Sequence, residues 1–321
     1  MNIDKLIWPG YIAPEKNEIF SSWFIRLCCE HKIKSHSFSK YYLNNIPIWN
    51  RDIDLYCPEF LVQKIKEHTI LSDIQIRDLF LNSYQDLLFN KNKDRLFTIN
   101  QLGVIHRKRK LNGLRYCPGC LGEEKIFFRK NWRLSTSLIC TKCKLMLLDC
   151  CPTCRSPICF YRLETGNKSS LLEFPLNKCW NCKTNLHLEH FKIPANNLLL
   201  EYQTYIDNTL NNGYNDKTQY SFQYFYMLIS LQKKIITKSH GWSRIKNAAI
   251  SEFGSIFYNI DFESKDLSLL TNSLLASYLI LQKSPLSFST FCADYNLRSS
   301  DFTKDLDNIP FWFIKTFRNS Y

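Results

Sequence analysis

The sequence predicts a mainly α-helical protein whose short β elements are confined to a cysteine-rich middle. Three observations carry this reading. Apolar residues recur at helical spacing on both sides of residues 106–192, ten of the 14 cysteines fall between them, and so does nearly all the net positive charge. With 321 residues, 45% hydrophobic and 15% aromatic, and only nine Gly and eleven Pro, the chain can bury a sizeable core and is neither disordered nor fibrous. Three regions are expected: an N-terminal helical domain over 1–105 containing a helix-turn-helix, tandem cysteine modules over 106–192, and a C-terminal helical domain over 193–321.

In the first region, Ile19, Phe20, Trp23, Phe24 and Leu27 repeat at helical spacing between Glu18 and Glu30, with Asn17 as the expected N-cap. Pro58 opens a second helix with Phe60, Leu61 and Ile65 on one side. Ser72-Asp73-Ile74-Gln75 has the form of a capping box that starts a third. The short link at 69–71 makes 58–82 a candidate helix-turn-helix, a pattern that serves as a packing unit as well as a DNA reader.

The middle holds four C-x-x-C pairs: Cys117/Cys120, Cys140/Cys143, Cys151/Cys154 and Cys179/Cys182. Each knuckle directs two thiolates at one point, and two knuckles complete the tetrahedron that zinc accepts. Shorter loop closure favours joining the first with the second and the third with the fourth, although a crossed pairing is also geometrically conceivable. Cys150 competes with Cys151 as a ligand, but only Cys151 has the x-x spacing to Cys154; Cys159 reads as a buried thiol, and His187 and His190 as surface or packing residues. A disulfide framework would require an oxidising compartment and normally a signal sequence, and redox catalysis the surrounding βαβ pattern. Two Zn2+ ions in closed, structural sites are therefore expected, within a mainly α protein with small zinc-ribbon β elements.

Beyond the modules, helical periodicity covers 196–210, 219–236, 243–257 and 267–281, with linkers at 211–216 and 283–285. A second helix-turn-helix candidate runs over 287–306, with Phe291, Cys292, Tyr295, Leu297 and Phe302 at core positions and Asn296 suited to a left-handed turn. Its second helix carries Asp301, Lys304 and Asp305, a poor set to place against phosphate, so a packing or protein-contact role is expected.

The 42 Lys and Arg against 29 Asp and Glu give a net charge of +13, which favours polyanionic partners. By region the net charge is +1 over 1–100, +11 over 101–200 and +1 over 201–321. Eight thiolates with two zinc ions would reduce the whole to about +9 and the middle to about +7. The nucleic-acid contacts expected from this distribution are Arg107, Lys108, Arg109, Lys110, Arg115, Arg129, Lys130 and Arg133, with Phe127, Phe128 and Trp132 among them. Trp132 itself is expected to be buried beside a knuckle. No apolar run approaches the length of a membrane span and the first dozen residues lack a secretory pattern, so a cytoplasmic protein acting at the nucleoid is expected.

The residues also resemble a known family. Pro14, Glu18, Ser22-Trp23 and Arg26-Leu27 are similar to the N-terminal P...E...SW..RL signature of the TniQ family of transposon target-selection proteins, which includes the longer TnsD-type members. Residues 114–121, then Phe128-Arg129, Trp132-Arg133, a knuckle, Leu147 and 151–154, resemble its RYCPxCL...R..W...C..H...L...CPxC pattern. Cys143 stands where the family commonly has His; a thiolate in place of imidazole retains the metal logic. The resemblance covers about 9–185 and implies a non-catalytic adaptor that marks a target and recruits a TnsC-type AAA+ ATPase. The target is marked by joining an RNA-guided CRISPR effector, as a homodimer in Cascade-like complexes, or by binding DNA directly as TnsD-like members do. The near-neutral C-terminal region favours the effector-linked adaptor over a dedicated DNA reader. Independently of the resemblance, the sequence has no nucleophile with a paired base, no glycine-rich phosphate loop and no carboxylate pair at catalytic spacing, so no enzymatic activity is expected. The alternatives are a sequence-specific DNA-binding protein and a zinc-dependent nuclease, for which no candidate acid stands out.

Overall fold

The computed structural model describes residues 6–90, 97–105, 108–163, 176–236, 243–256 and 265–318. It is mainly α-helical, and among the described residues the strands form two short hairpins. The chain forms two compact units, Met1–Gln85 with Ile99–Asn196, and Asp86–Thr98 with Asn197–Tyr321.

The first unit begins its helical part with α1 (Phe20–Glu30) and α2 (Ser35–Tyr42), followed by α3 (Glu59–His68) and α4 (Asp73–Asp78). Helix α1 buries Phe20, Trp23, Phe24 and Leu27, and Phe20 stacks on Phe80 with ring centroids 4.6 Å apart. Each such aromatic contributes roughly 1.5–3 kcal/mol by burial. Ile19, not Asn17, is the N-cap of α1. Asn17 instead takes a left-handed conformation (φ 62°), and its carbonyl accepts from the Lys130 N–H at 2.7 Å. The Ser72–Gln75 capping box forms as the sequence predicts: the Gln75 N–H donates to Ser72 Oγ, and Gln75 Oε1 accepts from the Ser72 N–H. Helix α3 buries Leu61, Val62 and Ile65, whereas Phe60 faces outward. The phase therefore lies one position away from the expected stripe.

The cysteine-bearing part contributes hairpins β1 (Val104–Ile105) with β2 (Lys108–Arg109) and β3 (Ile139–Cys140) with β4 (Leu145–Met146), both antiparallel. It shares one core with the preceding helices instead of standing apart from them. Trp49 stacks on Tyr161 at 4.7 Å, the Ile19 N–H donates to the Phe128 carbonyl at 3.0 Å, and Arg133 reaches Asp52. Side chains and backbone from both stretches meet at this seam, and residues 1–85 and 99–196 form one unit.

The second unit contains α5 (Asn197–Asn212), α6 (Ser221–Ile236), α7 (Ser243–Phe253), α8 (Lys265–Gln282), α9 (Pro285–Asp294), α10 (Ser299–Thr303) and α11 (Phe311–Arg318). Helix α6 is apolar on most of its circumference and lies at the centre, against α5, α7 and α8. Ser284 caps α9 with Pro285 at its first position, and Asn296 adopts the left-handed turn conformation (φ 50°). Phe291, Leu297 and Phe302 are buried; Cys292 and Tyr295 are only half-buried. No helix among the described residues is long and apolar enough to cross a membrane.

Candidate functional site

The eight knuckle cysteines meet in two groups, Cys117, Cys120, Cys140, Cys143 and Cys151, Cys154, Cys179, Cys182, with the ligand atoms of each group within 4.8 Å of one another. The pairing is sequential. All four knuckles share one local device, a backbone bond from the residue after the second cysteine to the carbonyl of the first: Leu121 to Cys117 (3.1 Å), Lys144 to Cys140 (2.8 Å), Arg155 to Cys151 (2.9 Å) and Lys183 to Cys179 (3.0 Å). That bond curls the turn so that both sulfurs point inward. Hairpin β3–β4 carries Cys140, and isolated bridges from Tyr116 to Leu148 and from Cys150 to Pro157 brace the first and third knuckles.

Sulfur separations identify the chemistry that the groups suit. Cys120 Sγ lies 3.6 Å from Cys140 Sγ and 3.5 Å from Cys143 Sγ; Cys151 lies 3.5 Å from Cys182, and Cys154 lies 3.6 Å from Cys179. A disulfide needs about 2.05 Å. The edge of a tetrahedron with metal–sulfur bonds of about 2.3 Å is roughly 3.8 Å. Each donor set therefore fits a tetrahedral thiophilic ion, and among the described residues no fifth His, Cys or carboxylate joins either group. Cys150 is buried outside the second group, and Cys159 is a buried thiol. The groups differ in exposure: in the first only Cys143 is half-buried, whereas in the second Cys154 is half-buried and Cys182 exposed.

The cations expected at nucleic acid divide sharply. Arg133 is fully buried and donates to Asp52 Oδ2 (2.6 Å), Asp54 Oδ2 (3.4 Å) and the Asn100 carbonyl (3.0 Å). Burial, and then the charge of Asp52, push the Asp54 carboxyl up to about 6 against the opposing pull of Arg133. Lys130 is buried, with its ammonium on Asp78 and Ser83 Oγ, and burial pushes its pKa down. Arg115 is buried against the carbonyls of Ser135 and Ser137. For these three, the expectation of phosphate contact gives way to a core role: the aromatic core beside them cannot close over an unpaired charge, so each carries its own acceptors inward. Arg129 is half-buried over the Phe127 and Trp132 rings, and Trp132 is buried. Lys108 and Lys110 are exposed on hairpin β1–β2, Arg109 bonds the Ile158 carbonyl, and Arg107 lies outside the described residues.

Among the exposed cations that escaped the sequence reading are Arg155, Lys178 and Lys183. Their signal was positional, since each adjoins a ligand cysteine. In the second unit, α6 and residues 304–311 enclose a cavity of about 590 Å³ that none of the predicted site residues lines. On its wall Lys234 donates to the Lys304 carbonyl at 2.8 Å, and burial lowers its pKa to about 8.

The N-terminal motif is a weld. Glu18 is buried and accepts from Ser22 Oγ (2.7 Å), Arg26 Nη1 (2.5 Å) and the Glu15 N–H (2.9 Å). Ser22 Oγ in turn accepts from the Phe128 N–H (2.9 Å), and the Ile19 N–H donates to the Phe128 carbonyl (3.0 Å). Residues 9–147 match the model of the TniQ family. This stretch is a TniQ domain. The TniQ domain thus contains the Glu18 weld, the α3–α4 pair and the whole first four-cysteine group, and it ends before the second. It associates the chain with transposition. No curated protein and no solved structure matches the chain.

Proposed function

We propose that this protein is a non-catalytic target-selection adaptor of transposition, which links a target-recognising complex to the AAA+ regulator, a TnsC-type ATPase. The observation that carries this reading is the TniQ domain, in which the first four-cysteine group is closed by four thiolates. Both groups suit structural Zn2+: bound there, zinc would cross-link the knuckles and contribute on the order of 10 kcal/mol to folding. Four thiolates leave no position for an activated water, in keeping with a surface-presenting role. The target-recognising complex in this reading is an RNA-guided CRISPR effector of the Cascade-like type, which the adaptor joins as a homodimer. The near-neutral 201–321 region, unlike a dedicated DNA-reading extension, supports that choice. The second reading is a TnsD-like selector that binds its DNA site directly, favoured by the exposed cations at the second cysteine group.

Reconstitution tests the proposal. Purified protein mixed with its cognate TnsC-type ATPase, ATP and DNA at low salt is expected to hold the ATPase on the DNA, and absence of any association overturns the adaptor. Addition of the effector complex separates the two readings. Retention that requires effector and guide supports the first, and retention on one DNA sequence without them supports the second.

A further inference from the structure

We propose that the rim of the second four-cysteine module, together with the β1–β2 hairpin docked on it, is a surface for the sugar-phosphate backbone of duplex DNA. The choice of DNA rests on the transposition reading; the surface itself rests on charge and geometry. Among the described residues of 150–188 there are four cations, Arg155, Arg162, Lys178 and Lys183, and no Asp or Glu. Even after the charge of −2 on a zinc tetrathiolate is included, the module remains positive. The first module differs, because Lys142 pairs with Glu123 at 2.6 Å and Lys125 with Glu15 at 3.4 Å.

Hairpin β1–β2 extends the same surface. Arg109 on β2 bonds the Ile158 carbonyl, which fixes the exposed Lys108 and Lys110 beside the module. Within the module, the Trp180 indole donates to the Pro157 carbonyl at 2.9 Å, and Lys183 Nζ reaches the Trp180 carbonyl at 2.8 Å. The segments carrying Arg155, Lys178 and Lys183 are thereby drawn together. Arg155 and Lys183 occupy the left-handed turn position of their knuckles, with φ of 59° and 63°, as Lys144 does in the first module with φ of 56°, so this conformation belongs to the knuckle turn. The aromatic partner is closed to bases: Trp180 is half-buried and the Arg162 guanidinium lies 4.9 Å from its ring centre. Flexible exposed cations without an open stacking platform suit the regular phosphates of a duplex better than the splayed bases of a single strand.

The test uses the full-length, zinc-loaded protein and a fluorescein-labelled duplex of about 30 base pairs, with anisotropy measured across about 50–200 mM salt. Each lost phosphate contact lowers the slope of log K against log[salt] by about 0.9, so the triple variant Arg155→Gln, Lys178→Gln, Lys183→Gln is expected to lose roughly 2–3 from the slope. Lys64→Gln with Lys66→Gln on α3, where both lysines are paired with carboxylates, is expected to retain the wild-type slope. A triple variant with an unchanged slope overturns the proposal. Were the cations only counter-charges for the tetrathiolate, that variant would shed metal with no change of slope, which also overturns it. Should the triple variant fail to fold, Lys108→Gln with Lys110→Gln decides, with an expected slope loss of roughly 1–2 and an unchanged slope as the contrary result. A wild-type preference for a single strand, DNA or RNA, of the same length overturns the choice of duplex. Duplex binding through these residues without ATPase association would refute the adaptor while leaving this surface standing.

Discussion

Replacing Arg133 with methionine removes the cation that pairs with both Asp52 and Asp54, whose side chains are 10% and 1% exposed. Methionine fills much of the volume, so the loss is chiefly electrostatic: two carboxylates and the Asn100 carbonyl lose a donor. Breaking a buried pair from one side costs about 3–5 kcal/mol. A unit of this size loses about 2–4 °C of melting temperature per kcal/mol, so Arg133→Met is expected to melt roughly 10 °C below the wild type. The assay is calorimetric melting of zinc-loaded protein near pH 8, followed by the same measurement near pH 5. Asp54 already titrates at about 6, and without Arg133 it moves higher still. At pH 5 it is protonated and needs no cation, so the deficit shrinks there. Melting within about 1 °C of wild type at pH 8, accompanied by a reduced salt slope in DNA binding, would refute the core role and restore Arg133 as a phosphate contact.

Three further outcomes follow from the same structure. A Cβ at Gly119 would lie 2.9 Å from Cys143 Sγ, so Gly119→Ala is expected to weaken metal retention at the first group, read as faster release to a colorimetric chelator; an unchanged release rate counts against the geometry. In wild-type protein the same chelator is expected to take one metal equivalent quickly, from the group with exposed Cys182, and the second slowly, with a variant of Cys182 to Ala abolishing the fast phase. Burial pushes the Glu18 carboxyl up to about 7 from 4.5, with Arg26 and its hydrogen bonds opposing. The folded state therefore holds a proton that the unfolded chain releases; the stabilisation is complete below about 4.5 and is lost as pH rises through about 7. A carbon-13 carboxyl titration is expected to show a midpoint near 7, and one below 5 contradicts it.

Local signals made the cysteine groups and most helices legible in the sequence. Spacing alone indicated both four-cysteine groups, because a C-x-x-C turn encodes its own geometry and loop closure favours the nearer partner. The capping box at Ser72 and the turn at Asn296 were equally local. Tertiary facts were not. Arg115, Lys130 and Arg133 resemble a surface patch in one dimension, and only the fold brings Asp78 against Lys130, Asp52 and Asp54 against Arg133, and the Ser135 and Ser137 carbonyls against Arg115. The shared core of the first unit depends on pairs such as Trp49 with Tyr161, which no periodicity announces. Asn17 lost its capping role to a long-range bond with Lys130. Helix α2, with only Ser35, Phe38 and Ser39 buried, carries too few apolar positions to signal itself.

The closed character of both cysteine groups underlies the reading of this protein as a non-catalytic adaptor, and X-ray absorption at the zinc edge tests it most directly. Two zinc ions per chain, each with four sulfur neighbours at about 2.3 Å and no lighter ligand, are the expected result. A nitrogen or oxygen neighbour at about 2.0 Å, or fewer than two ions per chain, would mean an open or absent centre and would contradict the account.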